Sequence, residues 1–142
     1  MAFRGTQPAI LDMIGGQIAA VSGPIGEFTQ HVAAGKCRLL GATGAKRSQF
    51  APQTATFAEQ GMKDFVYSEW FGFYVPAKTP ADIVNRLNAA LRVALAAPET
   101  VNGLAVMGLE AQSSSPAELA ARLKTDTERW APLVKTIGFT AE

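Results

Sequence analysis

Short apolar runs alternate with helix signals in the first half of this chain. Runs suited to buried strands occupy residues 18–21, 38–42 and 64–75. Between them, one helix is predicted to begin at an N-cap Thr6 and to stop at Gly15, and a second covers residues 25–34. Alternation of this kind predicts an α/β fold with a mainly parallel sheet flanked by helices.

The second half of the chain has a helical period. Leucine or isoleucine recurs at every fourth position from Ile83 to Leu95, and Pro98 follows that stretch. A shorter helix is predicted over residues 99–107, then a short edge strand over 109–112. Ser115-Pro-Ala-Glu118 is a capping box that starts the last helix, which Gly138 ends. We expect the apolar stripes of these helices to lie in a core.

A second capping box stands in the middle of the chain. Thr56 is followed three residues later by Glu59, and Gly61 comes soon after. This spacing lets each of the two side chains accept a hydrogen bond from the other residue's backbone N–H. The pattern predicts a short helix that begins at Thr56 and ends at Gly61.

Composition limits the classes of function. The 142 residues suffice for one globular domain, and a formal charge of +1 gives no reason to expect nucleic acid or an anionic membrane as a partner. With one cysteine, Cys37, and one histidine, His31, we expect no disulfide, metal or cofactor site. Cys37 is interpreted as a small buried hydrophobe and His31 as structural or surface. No membrane-spanning run or secretory leader pattern is seen, so the polypeptide as written is expected in the cytoplasm.

Catalytic motifs are not found. The sequence contains no Gly-x-Ser-x-Gly, no phosphate loop and no His-Glu-x-x-His. The carboxylates of Asp126 and Glu128 are predicted to lie on a polar helix face, and those of Asp64 and Glu69 at the entry to a strand. No catalytic residue is therefore assigned, and we expect that the protein is not an enzyme.

Two predicted helix starts are candidates for anion binding. Gly5-Thr6-Gln7 begins one helix and Gly23-Pro24-Ile25 begins the next. Free N–H groups and the positive end of the helix dipole suit a carboxylate or phosphate at such positions. Ordinary helix caps explain the same residues, and the spacing alone does not decide between the two interpretations.

The segments "RGTQPAILDMIGGQIAAV" and "HVAAGKCRLLGATGAKRS" resemble the tripartite tricarboxylate transporter receptors, often called Bug proteins. The resemblance continues through "PQTATFAEQGMKDFVYSEWFGFYVPAKTPADIVNRLNAAL" and nearly to the end of the chain. It implies a fold like that of type II periplasmic binding proteins, with two α/β lobes, of which this chain is the C-terminal half. Residues 1–70 would then form most of the second lobe, and residues 71–142 the segment that completes the first.

The resemblance also implies a function and a site. Receptors of this family bind small carboxylates in the periplasm and deliver them to the membrane components of a tripartite transporter. The residues of this chain that match the ligand-facing positions are Gly5, Thr6, Gln7, Pro8, Ser22, Gly23 and Pro24. Trp70 lies near the crossover between the lobes, where it would form a wall of the cleft or serve as a core or hinge residue. The family often has Asp or Asn in the second loop, and Ser22-Gly23 departs from that pattern.

Two other classes of function stay open from the residues themselves. A ligand-sensing domain of a regulator would share the two-lobe architecture, although no helix-turn-helix segment is visible. A small enzyme with an unrecognised site is the other alternative. The resemblance also bears on oligomeric state. The C-terminal helices would cover the sheet of the first lobe, and without that sheet their apolar faces would be exposed. We therefore expect a homodimer that forms through these helices.

Overall fold

Helices carry most of the regular secondary structure in the computed structural model, which describes residues 3–140. The helices are α1 (Thr6–Ile14), α2 (Thr29–Ala33), α3 (Ala81–Ala96), α4 (Pro98–Val106) and α5 (Pro116–Ile137), and a 3-10 turn (Ile25–Glu27) precedes α2. The chain groups into two compact units. Unit 1 runs to Phe71 and includes Pro98–Ala111, whereas unit 2 consists of Gly72–Ala97 and the chain from Gln112.

The two compact units do not test the predicted assignment of residues to two lobes. The chain leaves unit 1 after Phe71, close to the predicted boundary, but α4 returns to unit 1. Compact units within this chain are not the lobes of a complete receptor. The assignment of residues 1–70 and 71–142 to two lobes therefore stays a prediction.

Several helix ends lie where the sequence predicts them. Gly15 caps the C-terminal end of α1, and α3 ends two residues before Pro98. The Ser115–Glu118 capping box is formed in both directions at the start of α5, and Gly138 ends that helix with a φ of 64°. These ends depend on residues close in sequence, which is why the pattern finds them.

Two details of the first helices differ from prediction. The N-cap of α1 is Gly5 rather than Thr6, and its φ of 97° is a conformation that favours glycine. The predicted helix over residues 25–34 is interrupted: it consists of the 3-10 turn and the five-residue α2. Gly26 lies in this turn, where glycine weakens helix formation, and its Cα faces the backbone of Met107.

The predicted parallel sheet is not confirmed. Within residues 3–140 no segment is a strand, and the only β-type pairing is a parallel bridge between Ala42 and Thr56. Tyr67 N–H donates to the carbonyl of Thr43 at 2.9 Å, which attaches the aromatic segment to the same region. A strand exists only where a neighbouring segment completes its hydrogen-bond ladder, and an apolar run cannot specify that partner.

The capping box at Thr56 forms without the helix. Glu59 N–H donates to Thr56 Oγ1 at 3.1 Å, and Thr56 N–H donates to Glu59 Oε2 at 2.6 Å. The residues that follow make a turn up to Gly61. Arg47 Nε lies 3.0 Å from both carboxylate oxygens of Glu59, so the box also attaches the preceding loop.

The buried residues belong to unit 1. Among the described residues the buried ones are Ala9, Ile10, Phe28 and Thr56. By contrast, α3 and α5 contain no buried residue. The prediction that their apolar stripes lie in a core is wrong for this structure, since Leu87 and Leu123 are 45% and 44% exposed.

Candidate functional site

The first turn of α1 is open at its N-terminal end. Ala9 and Ile10 are buried and anchor the helix in unit 1, while Gly5, Gln7 and Pro8 are exposed. No side chain caps this end, and its first turn contains no acidic residue. The positive end of the helix dipole is therefore not offset by a carboxylate of the helix itself.

The second predicted loop lies against this turn. A Cβ atom added at Gly23 would overlap the methyl group of Thr6 and would lie 3.1 Å from Thr6 Oγ1 and 3.4 Å from the ring of Phe28. A side chain at position 23 would have to displace that of Thr6, so glycine favours the close approach of the two segments. The structure brings the two predicted loops together, although whether either binds a ligand stays a prediction.

A cleft of about 440 Å³ opens beside these loops within unit 1. We call it the α1 cleft, and it is lined by Gln7, Pro24, Gly26, Glu27, Gln30, His31, Phe71, Met107 and Leu109. Its volume lies in the range of small-molecule sites. Gln7 and Pro24 are the two predicted site residues in this lining.

The other predicted site residues do not line the α1 cleft. Gly5, Thr6, Pro8, Ser22, Gly23 and Trp70 are not among the lining residues. Trp70 is half-buried, and the next residue, Phe71, contributes to the cleft wall. The role proposed for Trp70 in ligand binding stays a prediction.

Sequence reasoning missed the polar residues of the cleft. Glu27, Gln30 and His31 are spaced i, i+3 and i+4, the spacing of side chains that share one face in a regular helix. That spacing is a signal that could have been found, and it would have moved His31 from a structural residue to a candidate site residue. Met107 and Leu109 are distant in sequence, and only the tertiary structure brings them to the cleft.

Glu27 faces the start of α1. Gln7 Nε2 donates a hydrogen bond to Glu27 Oε2 at 3.3 Å, joining the first turn of α1 to the 3-10 turn. Glu27 is half-buried, and among the lining residues that the structure describes it contributes the only carboxylate, with no lysine or arginine. The cleft therefore combines a helix end suited to an anion with one negatively charged acceptor.

A backbone contact fixes the far wall of the cleft. The backbones of Gly26 and Gly108 meet directly: a Cβ atom added at Gly108 would lie 2.6 Å from Gly26 Cα. At Gly26, an added Cβ would overlap the carbonyl of Met107. This close approach holds the end of α4 against the 3-10 turn and so positions Met107 and Leu109.

A second cavity of about 360 Å³ lies on another side of unit 1. Its lining includes Cys37, Arg38, Leu39 and Phe50. Cys37 is half-buried here rather than fully buried as the sequence suggested. None of the predicted site residues lines this cavity.

Solved structures place the chain in the class of periplasmic binding proteins. The binding protein BugD is 28% identical with a TM-score of 0.75, and the match covers 97% of this chain and 47% of BugD. An R. palustris protein solved with adipate is 26% identical with a TM-score of 0.81, over 97% of this chain and 46% of that chain. Among residues 3–140, no helix combines the length and apolar character needed to cross a bilayer.

The family follows from the sequence comparison. The model of the tripartite tricarboxylate transporter family receptor matches residues 1–139, and the chain belongs to that family. A protein from the tcbD-tcbE intergenic region of Pseudomonas sp. strain P51 is 34% identical over 133 residues, which cover 93% of this chain and 40% of that relative. The chain thus spans about two fifths of the length of this relative. Family membership supports the solute-binding interpretation over the two alternatives, a regulator domain and a small enzyme.

Proposed function

We propose that this chain supplies one side of a carboxylate-binding site of a tripartite transporter receptor. The observation that carries the proposal is the uncapped start of α1 beside the α1 cleft, because a helix end without its own carboxylate favours an anionic ligand. The structural neighbour solved with adipate supports a carboxylate as the ligand class. The family description supports the membrane components of a tripartite transporter as partners, and the likeness to the periplasmic binding protein BugD supports the periplasm as the location.

Pro8 gives a direct test of the helix end. Pro8 is the third residue of α1 and is exposed. Pro8→Glu adds a carboxylate where it favours the helix but repels an anionic ligand, whereas Pro8→Gln has nearly the same shape without the charge. We expect Pro8→Glu to weaken the binding of adipate or glutamate by about ten-fold relative to Pro8→Gln, with no loss of thermal stability.

Isothermal titration calorimetry on the two variants measures this difference. Equal affinities in Pro8→Glu and Pro8→Gln would place the ligand away from the start of α1. A fall in the melting temperature of Pro8→Glu alone would show that the variant acts on folding, and the comparison would then be repeated with Thr6→Glu and Thr6→Gln.

The homodimer remains a hypothesis about the same chain. Within unit 2, α3 and α5 contain no buried residue, and Leu87, Leu123 and Trp130 are between 38% and 45% exposed. A second copy would remove this apolar surface from water. We expect light scattering at micromolar concentration to give twice the mass of one chain, and a monomeric mass would contradict the hypothesis.

A further inference from the structure

The second cavity of unit 1 lies on the other face of α2 from the α1 cleft. We call it the α2 cavity, and its volume of about 360 Å³ is within the range of small-molecule sites. Thr29, Val32 and Ala33 line it, and their spacing of i, i+3 and i+4 places them on one face of α2. Gln30 and His31 lie on the opposite face of the same helix and line the α1 cleft. Among the described residues, the two linings have no member in common.

Another wall of the α2 cavity is a loop held by hydrogen bonds. The N–H groups of Phe50 and Ala51 donate to Ser48, at 3.2 Å to its Oγ and at 3.1 Å to its carbonyl. Arg47 Nη1 donates to the carbonyl of Pro52 at 3.4 Å. Phe50, Ala51 and Pro52 all line the cavity. These hydrogen bonds therefore position the apolar residues of this wall.

The lining of the α2 cavity combines apolar surface with one cation. Leu39 and Phe50 are half-buried and contribute apolar surface. The hydroxyl of Thr29 already donates to the carbonyl of Gly26 at 2.9 Å. Arg38 is exposed, is the only charged residue among the described lining residues, and belongs to none of the ion pairs within residues 3–140. A guanidinium beside apolar walls suits a ligand that has both an anionic group and an apolar body.

We infer that the α2 cavity is a second ligand site, which takes a small molecule with an apolar body and one anionic group. Arg38 donates charge-assisted hydrogen bonds to the anion, and the walls at Leu39 and Phe50 remove the apolar body from water. A molecule with an anionic group at each end is disfavoured, because the lining residues that the structure describes offer no second cation. This site does not depend on ligand binding at the start of α1.

Cys37 gives a local readout of occupancy. It is the only cysteine of the chain, is half-buried and lines the α2 cavity. A bound ligand should shield its thiol from the neutral reagent iodoacetamide, and mass spectrometry measures the rate of alkylation. We expect octanoate at about ten times its Kd to slow the alkylation by about ten-fold. Octanol should bind less tightly than octanoate, and adipate should leave the rate unchanged.

Two variants test the role of the cation. Arg38→Gln removes the charge from an exposed side chain, so it should fold as the unmodified chain does. We expect the Kd of octanoate to rise by about five-fold in this variant at low salt, while that of octanol stays the same. Lys36→Gln is the matched control, because Lys36 is exposed, carries the same charge and does not line the cavity. Isothermal titration calorimetry measures the same dissociation constants without use of the thiol.

The outcomes decide between this site and simpler explanations. A loss of octanoate affinity in Arg38→Gln but not in Lys36→Gln, together with shielding of Cys37, supports the inference. Octanol that binds as tightly as octanoate would show apolar binding without recognition of the anion and would overturn it. Shielding by adipate, equal octanoate affinities in Arg38→Gln and the unmodified chain, or no octanoate binding by either method would also overturn it. The Pro8 variants test the proposed function separately.

Discussion

Thr56 and Glu59 show how two residues can be predicted from spacing alone. Thr56 is 2% exposed, and its N–H and Oγ1 both exchange hydrogen bonds with Glu59. The capping box was predicted because both partners lie three residues apart. The N-cap of α1 was not predicted, since Thr6 has the right side chain but Gly5 has the backbone conformation that the turn requires.

Acid is expected to weaken the fold through Glu59. The hydrogen bond from Thr56 N–H is the largest effect on the pKa of Glu59 and lowers it. Desolvation comes next and opposes it, and the hydrogen bond and charge of Arg47 lower the pKa further, so that it lies below its ordinary value. The unfolded chain then binds this proton more readily, so the contribution of Glu59 to stability is present above the unfolded pKa and is lost as pH falls through the folded pKa. Glu59→Gln removes that contribution.

Urea unfolding from about pH 6 to about pH 3 measures the effect. The midpoint of the unmodified chain should fall further over this range than that of Glu59→Gln. Glu118, whose pKa is also lowered, is present in both chains and cancels from the difference. Parallel decreases in the two midpoints would show that Glu59 is not linked to folding.

At the scale of elements, the long helices α3 and α5 were predictable, whereas the short helices were predicted less well and the predicted sheet is not confirmed. The fourfold period in α3 and the capping box of α5 are local signals, and both helices form where expected. The strand predictions rested on apolar runs, and pairing depends on a partner segment that the run itself does not encode. Gly26, in the 3-10 turn before α2, lies against the backbone of Met107, a contact that no local pattern reveals.

The contact between α4 and the 3-10 turn should be sensitive to one methyl group. Gly26→Ala places a Cβ atom onto the carbonyl of Met107, which belongs to the backbone and cannot rotate away. We expect a loss of about 1–3 kcal/mol in the free energy of unfolding, as for other overpacked positions. The same variant should displace Met107 and Leu109 and so weaken ligand binding in the α1 cleft.

Gly103→Ala in α4 is the control for this change. Nothing lies within 4 Å of a Cβ atom added at Gly103. Alanine in a helix interior is favoured over glycine, so this variant should gain about 0.5–1 kcal/mol. Urea unfolding of both variants checks the prediction, and a similar stability for Gly26→Ala and the unmodified chain would contradict the described contact.

At the scale of the whole molecule, the site is only partly visible in the sequence. Gln7 and Pro24, which the family resemblance predicts as ligand-facing, line the α1 cleft, and each belongs to a motif that is continuous in sequence. Phe71 ends the first segment of unit 1, and Met107 and Leu109 belong to its second segment, Pro98–Ala111. Their contribution depends on tertiary structure, and no spacing rule would have grouped them with Gln7.

The chain is shorter than the solved proteins that it resembles. It matches the receptor family over residues 1–139 yet spans under half of the two solved receptor-like chains. Binding by the segment present here would therefore rely on the α1 cleft and the loop at Gly23.

The most direct test of the central claim is a thermal-shift titration of this chain against citrate, succinate, glutamate, aspartate, adipate and nicotinate. Ligand at about a hundred times its Kd adds roughly 2.7 kcal/mol to the free energy of unfolding. The account predicts a selective, saturable rise in the melting temperature with at least one of these carboxylates. A cooperative melt that none of the six carboxylates shifts would contradict a carboxylate site at the start of α1.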